Sequence, residues 1–397
     1  MYDIVFVVVR PFGKNDAYGG EKSAIATALG LRDLGYRPLF VTTAVDGLVA
    51  ELEAAGLDFT VVPVGDPFTG FRASGLVGRA RRLAAIARVN AAVYRRVRHG
   101  GIVHTSAMTG FLSGYFGGLL GGAPVIYHVR TASMGQKVRK LEELAMLLAR
   151  RTITVSGSLR DQFLKTGSRL TEPLVGRRVR TIYNGFDFAE MDAAIAAESH
   201  AAARAAVGPG PARVSAVLVG AIFRDKGQLP FLEKVLPAAV AQAPELHVTF
   251  VGGAKDAGYH QACLDAVRHH RLEDHVTFTG YQPKPRVFRH YRAADILILP
   301  SEREGLPRCV IEGHAFGLPV VATAVVGTVE AARDGETGFL VPLERLEEMV
   351  APLVRLTRDA DLRARLGAAG AAHVRGAFGL EENVRAIAEI YREIAPG

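Results

Sequence analysis

Apolar residues in this chain come in short unbroken runs separated by stretches of helical period. Ile4 to Val9, Pro38 to Thr43, Phe59 to Val64, Ile102 to His104, Val125 to Val129, Thr152 to Val155 and Val179 to Tyr183 read as strands. Helical patterns lie between them, for example Glu21 to Leu34, stopped by Gly35. Unbroken apolar runs mark strands buried on both faces, and their alternation with helices predicts an α/β fold: a doubly wound parallel sheet with ligands at the carboxyl ends of the strands. An alanine-rich stretch, Ala189 to Val207, breaks at Gly208-Pro-Gly-Pro211. The rhythm then resumes with Val214 to Val219, His247 to Gly252, Val276 to Gly280, Ile296 to Leu299 and a run that begins at Pro319. Thr105 to Tyr127 has almost no charge and is long enough to span a membrane, but its glycines and Pro124 predict a buried helix near Gly110 to Leu120 and then a buried strand.

Length and charge refine this picture. The chain has 397 residues, room for about two to three domains with separate cores. Its formal charge is +8, and the excess is local. From Pro67 to His99 there is no Asp or Glu, while Arg72, Arg79, Arg81, Arg82, Arg88, Arg95, Arg96 and Arg98 all fall there. Helical spacing puts Leu76, Leu83, Ile86, Val93 and Val97 on one face and Arg81, Arg88, Arg95 and Arg96 on the other. Two readings stand: a helix packed on the sheet with a solvated arginine face, or a basic amphipathic helix that meets an anionic membrane, helped by Phe68 and Phe71. No nucleic-acid-binding module accompanies the arginines, so nucleic acid is not an expected partner. The two cysteines, Cys263 and Cys309, lack metal-type spacing and read as buried thiols of a cytoplasmic protein. The first apolar run is too short for a signal peptide and lacks its basic lead. The one D-x-D, Asp359-Ala-Asp361, sits in a charged helical stretch, so no metal site is expected.

The densest chemistry lies between Ser301 and Pro319. Pro307 suits a first helical position and Gly317 with Pro319 a stop, which predicts a loop and then a helix of about three turns. Glu304 falls in the loop facing the helix N-terminus and Glu312 inside the helix. The segment Gly305-Leu306-Pro307-Arg308 turns its backbone N–H groups outward into the same space. Such N–H groups suit a phosphate, and the carboxylates suit sugar hydroxyls. A capped helix with two surface glutamates fits the spacing equally well.

This stretch resembles the E-x7-E signature of the retaining glycosyltransferases of family 4, in the variant E-G-L-P-R followed by G-L-P-V-V-A-T. Gly313-His314-Ala315 stands where the family usually has Ala-Met-Ala. Further likeness runs along the chain. The loop from Arg10 to Gly20 resembles the glycine-rich loop that closes over the donor, through Gly19 and Gly20, and frames the acceptor, here near Lys14, Asn15, Asp16 and Tyr18; Glu21 follows at once where the family form is often Gly-Gly-x-Glu. Aligned on Pro124, Arg130 takes the position where many relatives carry a histidine that reaches the donor, with His128 two residues earlier on the same face of the strand. The resemblance implies a fixed positive charge from Arg130 beside the leaving diphosphate, and for His128 either assistance or packing. Ser156 matches a strand-end serine, and Ile182 to Asp187 the P-N-G-x-D turn at the domain junction, with Tyr183 in place of Pro.

Gly220 to Gln228 resembles the segment whose arginine and lysine neutralise the diphosphate. Lys226 matches the lysine; Ala221 occupies the arginine position, and Arg224 brings the charge from the loop. Gly280, Tyr281 and Gln282 fall where relatives hold the base. Gly327 and Glu330 fit the closing part of the pattern, and Leu380 to Ile394 resembles the last helix.

The resemblance implies the GT-B architecture, two Rossmann-like doubly wound domains facing across a cleft. Residues 1–182 would bind the acceptor, residues 183–376 the donor, and residues 377–397 would pack a helix back on the first domain. The implied reaction is retaining, front-face transfer from a UDP- or GDP-sugar to a hydroxyl acceptor, lipid-linked or a small molecule, in glycan or glycoconjugate biosynthesis. Glu304 would hold donor-sugar hydroxyls and Glu312 the ribose, while the leaving phosphate takes the acceptor proton. No metal or other cofactor is expected, and the protein would be cytoplasmic with peripheral contact at the inner face of an anionic membrane. A sugar-nucleotide epimerase on the same fold and a non-catalytic nucleotide-binding subunit are the rival readings.

Overall fold

The computed structural model describes residues 2–9, 19–43, 47–64, 76–130, 136–166, 173, 175–210 and 212–395. They form two compact units, Met1–Phe186 with Leu380–Gly397, and Asp187–Gly379. Among the described residues each unit holds one parallel sheet.

In the first unit the strands are β1 (Asp3–Val8), β2 (Arg37–Thr42), β3 (Asp58–Val61), β4 (Ile102–Ser106), β5 (Val125–Val129), β6 (Arg151–Thr154) and β7 (Val179–Thr181). Their order is β3-β2-β1-β4-β5-β6-β7, so strand order reverses between β1 and β4. One face of this sheet packs on Ala24, Ala28 and Leu31 of helix Gly19–Asp33 and on Val384, Ile387 and Tyr391 of helix Leu380–Ile394. The two helices touch closely because Gly30 has no side chain: a Cβ there would lie 2.5 Å from Val384. Asn383 fastens the contact, accepting from the Thr27 hydroxyl at 2.9 Å and donating to the Tyr183 carbonyl at 2.6 Å.

The second unit contains β8 (Val214–Val219), β9 (Leu246–Val251), β10 (Val276–Phe278), β11 (Ile296–Leu299), β12 (Val320–Thr323) and β13 (Gly338–Val341). Their order, β10-β9-β8-β11-β12-β13, repeats that of β3-β2-β1-β4-β5-β6 in the first sheet, without a counterpart of β7. β13 is the strand that the apolar runs do not announce. It begins on Gly338, whose absent Cβ would lie 2.1 Å from the Val320 carbonyl oxygen.

Three expectations need correction. The helix after Pro307 runs over Arg308–Ala315, eight residues and so closer to two turns than three, and Pro307 precedes it as the cap residue with φ −72° and ψ 106°. It ends at Gly317, φ +81°, with Leu318 N–H donating to Gly313 O at 3.0 Å, a Schellman closure that a left-handed glycine allows. In helix Leu76–Val97 the residues Val89, Val93 and Val97 are buried, but Leu83 is 68% exposed because the inward side is taken by Ala85, Val89 and Ala92. Helix Ala107–Leu120 buries its glycine side, while Phe116, Leu119 and Leu120 face outward. Among the described residues no helix is long and apolar enough to cross a membrane.

Candidate functional site

In doubly wound sheets ligands bind outside the carboxyl ends of the strands where strand order reverses. In the second unit that point lies between β8 and β11. The loop leaving β8 carries the turn Arg224–Lys226, and the loop leaving β11 carries Glu302, Arg303 and Glu304. Lys226 Nζ donates to Glu304 Oε1 at 2.6 Å, with the two side chains only 26% and 9% exposed. Arg303 pairs with Asp225, and Glu302 N–H donates to Asp225 O at 2.8 Å, so the loops are tied at three points. Arg224 is exposed beside them.

Two glycines allow this approach. Gly227 has φ +69°, and a Cβ on it would lie 2.0 Å from the Pro300 carbonyl oxygen; Gly327 has φ +77°, with Gly305 O at 2.1 Å from its missing Cβ. Any side chain at either position meets both a disfavoured backbone and a backbone clash.

Burial alone would lower the Lys226 pKa. The charge and hydrogen bond of Glu304, together with Cys309 and Asp225, more than offset it, so the net shift is upward and the ammonium persists. Eight residues on, Glu312 Oε1 accepts from Arg308 Nη2 at 3.1 Å and Oε2 from the Tyr291 hydroxyl at 3.2 Å. Burial, reinforced by Glu312, holds the Tyr291 pKa well above its usual value, so that hydroxyl remains a donor. Cys309 lies close enough to sense both clusters. Burial pushes its thiol up to about 12; Lys226 opposes the shift, and Glu304 and Glu312 add to it. Lys226, Glu304 and Glu312 thus all act on the Cys309 thiol, and Gly305, Leu306 and Pro307, which lie between the two carboxylates in sequence, are buried.

Gly280 and Tyr281 lie across the same sheet edge. Gly280 has φ +68°, its carbonyl accepts from Gly252 N–H at 3.0 Å, and the Tyr281 side chain stands over Gly253 with 56% of its surface exposed. Gln282 Nε2 donates to Thr279 O at 2.9 Å. The loop before them is held by Gly252, whose Cβ would lie 2.0 Å from Gly220 O.

In the first unit the reversal point lies between β1 and β4. Gly19 and Gly20 open helix Gly19–Asp33 there, with Glu21 in its first turn. A Cβ on Gly20 would lie 3.1 Å from Arg130 Cδ, so the helix start and the arginine touch. Arg130 Nη1 donates to Asn184 Oδ1 at 2.8 Å, and its other nitrogens lie 3.4 Å from Ser106 Oγ and His128 Nδ1. His128 is fully buried behind it. His128 Nδ1 is 3.0 Å from His104 Nε2, and His104 Nδ1 is 2.6 Å from the Tyr391 hydroxyl.

Arg130 can only donate, which assigns the ring protons. His128 Nδ1 accepts and Nε2 carries the proton; His104 donates through Nε2 and accepts from Tyr391. Both rings must be neutral for this, and burial, then the Arg130 charge, lowers both pKa values, that of His104 to about 3. His128 Nε2–H has no partner among the described residues.

Other residues singled out from the motifs have structural work. Ser156 Oγ caps helix Gly157–Thr166 by accepting from Leu159 N–H at 3.2 Å, and Asp359 caps helix Ala360–Ala377 through Leu362 N–H at 2.8 Å. His314 donates to Leu318 O at 2.9 Å and packs on Gly370, where a Cβ would lie 2.2 Å from its ring; that glycine makes room for the histidine. Cys263 and Cys309 are buried free thiols. Lys14, Asn15, Asp16, Tyr18, Phe68, Phe71 and Arg72 lie outside the described residues. Tyr291, His104 and Tyr391 were missed because they reach their partners from distant elements and carry no local motif; Asn184 lies in the turn Ile182 to Asp187, whose motif does not announce its bond to Arg130. No group of three or more His, Cys, Asp or Glu is placed to hold a metal among the described residues.

Comparison with known proteins covers both units. Residues 17–190 match the family described as Glycosyltransferase Family 4 and residues 213–359 the family described as Glycosyl transferases group 1. A D-inositol 3-phosphate glycosyltransferase of Mycolicibacterium gilvum is 37% identical over 41% of this chain and 36% of its own length. That of Kribbella flavida is 31% identical over 48% of this chain and 46% of its own. The aligned part therefore spans less than half of either relative. Anabaena HepE, solved with UDP and glucose, superposes with a TM-score of 0.80 over 99% of this chain and all of that one at 20% identity. A sucrose-phosphate synthase of Thermosynechococcus elongatus gives 0.77 over 99% of each chain at 22% identity. At such identities these two structures show the shared fold.

Proposed function

This chain belongs to the group 1 glycosyltransferases of family 4, and we propose that it moves a sugar from a nucleotide sugar to an acceptor hydroxyl with retention at the anomeric carbon. The observation that carries the reading is the Lys226–Glu304 pair at the reversal point of the second sheet. It puts a lasting cation and a sugar-hydroxyl acceptor side by side, with Arg224 exposed next to them. As the bond to the donor sugar breaks, charge builds on the diphosphate; Lys226, Arg224 and the first-turn N–H groups of helix Arg308–Ala315 stabilise it.

Glu304 and Glu312 serve as a donor clamp. Each is already engaged by cationic or hydroxyl donors. That suits a carboxylate to accepting further hydroxyls, and suits it poorly to attacking a carbon, as the nucleophile of a retaining glycosidase must. The acceptor proton then passes to the leaving phosphate, and no metal takes part. HepE was solved with UDP-glucose, which supports a UDP-linked donor. The named relatives are glycosyltransferases of a phosphorylated polyol, which supports a hydroxyl acceptor. In the first unit Arg130 is an anion-binding group.

The test measures nucleotide release from a panel of UDP- and GDP-sugars with and without hydroxyl acceptors, in the presence of EDTA. Acceptor-dependent release is expected. Tight nucleotide binding without turnover of any donor would overturn the proposal.

A further inference from the structure

Helix Ala107–Leu120 is built inside out. Its sequence contains no charged residue, and its small side faces the protein: Gly110 lies against Val7, Gly114 against Val7 and Thr105, Gly117 against Asn90, and Gly118 against Val103 and Val125. Its large side faces away. Leu112, Phe116, Leu119 and Leu120 follow the spacing of one helix face, and Phe116 and Leu120 are 56% and 76% exposed. The neighbouring helix Gln136–Leu148 shows the same habit, with Leu141, Leu144, Leu147 and Leu148 exposed. On the other flank, helix Leu76–Val97 adds Leu83 and Tyr94, which share a line with Asn90, the residue that bonds helix Ala107–Leu120 at Gly117 N–H and Leu112 O. Most of the exposed large apolar side chains of the described chain belong to these three helices.

Charge says what covers this face. No Asp or Glu occurs between Asp66 and Glu142, while Arg79, Arg81, Arg88, Arg95, Arg96 and Arg98 stand exposed along the flanking helix. Arg88 and Arg96 reach to Pro63 O and Thr60 Oγ1, so they rim the apolar stripe on its β3 side. An apolar area with an arginine rim on one flank, and Glu143 as its partly exposed acidic side chain on helix Gln136–Leu148, fits a layer of lipid tails beneath anionic headgroups better than a protein surface of evenly mixed charge. We infer that the face formed by helices Leu76–Val97, Ala107–Leu120 and Gln136–Leu148 docks on a bilayer containing anionic lipid, with Phe116 and Leu120 entering the headgroup–acyl boundary. This holds whatever reaction the protein performs.

The chain has no tryptophan, so Phe116→Trp is a clean reporter and Leu34→Trp, an exposed apolar site on another element, is its control. Vesicles of phosphatidylcholine with phosphatidylglycerol should blue-shift the emission of Phe116→Trp and leave that of Leu34→Trp unchanged. Raised salt should weaken the partition without abolishing it, because only the arginine part is screened. Phe116→Glu with Leu120→Glu should lower the partition coefficient about tenfold or more, while circular dichroism reports the same fold. Absence of a blue shift would overturn the inference, as would binding that salt abolishes and the double variant leaves intact. A blue shift that follows protein concentration without vesicles, with a dimer on sedimentation, would assign the face to a second copy of the chain.

Discussion

The two units share the order of six strands and each brings a cation to its reversal point, Lys226 from the loop after β8 and Arg130 from the end of β5, yet they hold it differently. In the second unit Lys226 meets a carboxylate, Glu304, across two loops that glycines bring within backbone contact. In the first, Arg130 donates to Asn184 and lies beside Ser106 and a histidine chain that runs back to Tyr391 of the last helix. The contrast teaches that a fold can supply the position of a charge without supplying its partners. A cation paired with a carboxylate is tied to its own loop contacts, whereas a cation set against buried histidines also depends on how deeply those rings lie in the core.

Cutting the ion pair should have the largest effect. Lys226→Met leaves a nearly buried carboxylate unpaired, with an expected loss of about 3 kcal/mol in stability and about a hundredfold to a thousandfold in turnover. Adding Glu304→Gln should restore most of the stability and none of the turnover, read by urea unfolding and single-turnover kinetics. Unchanged stability of Lys226→Met would show that the pair does not hold the loops.

Acid should affect both units next. His104, His128, His247 and His314 all have pKa values lowered chiefly by burial, to about 3 for His104 and about 4 for His247 and His314. Each ring is neutral when folded and takes up a proton on unfolding. Their contribution is therefore present above the ordinary value near 6.5 and is lost as pH falls from there toward 4. Melting temperature should drop steeply across that window. His314→Met should remove about 3 kcal/mol of the loss; an unchanged pH profile would show that His314 is protonated in the folded state.

The smallest effect tests the bracing in the first unit. Tyr391→Phe removes one buried hydrogen bond, an expected cost of about 1 kcal/mol. It also frees the His104 ring, so nitrogen shifts of labelled histidine should report a mixture of tautomers. A single unchanged tautomer would mean that Tyr391 does not set the chain.

Much of the second unit's site is legible locally. Glu304, Glu312, Lys226 and their glycines lie in short segments whose turn and helix signals survive reading one window at a time. Tyr291 is not legible, because a tyrosine on an amphipathic helix reads as core until its hydroxyl is seen to meet Glu312. The histidine chain is hidden for the same reason: it joins residues of β4, β5 and the last helix.

The sequence by itself determined the alternation of buried strands and helices and the stops at Gly35 and Gly317, because each depends on neighbours along the chain. Tertiary structure alone decided which side of helix Ala107–Leu120 turned inward. With apolar residues on every side, period carries no preference; close approach to the sheet does, and only the glycine face is small enough to make it.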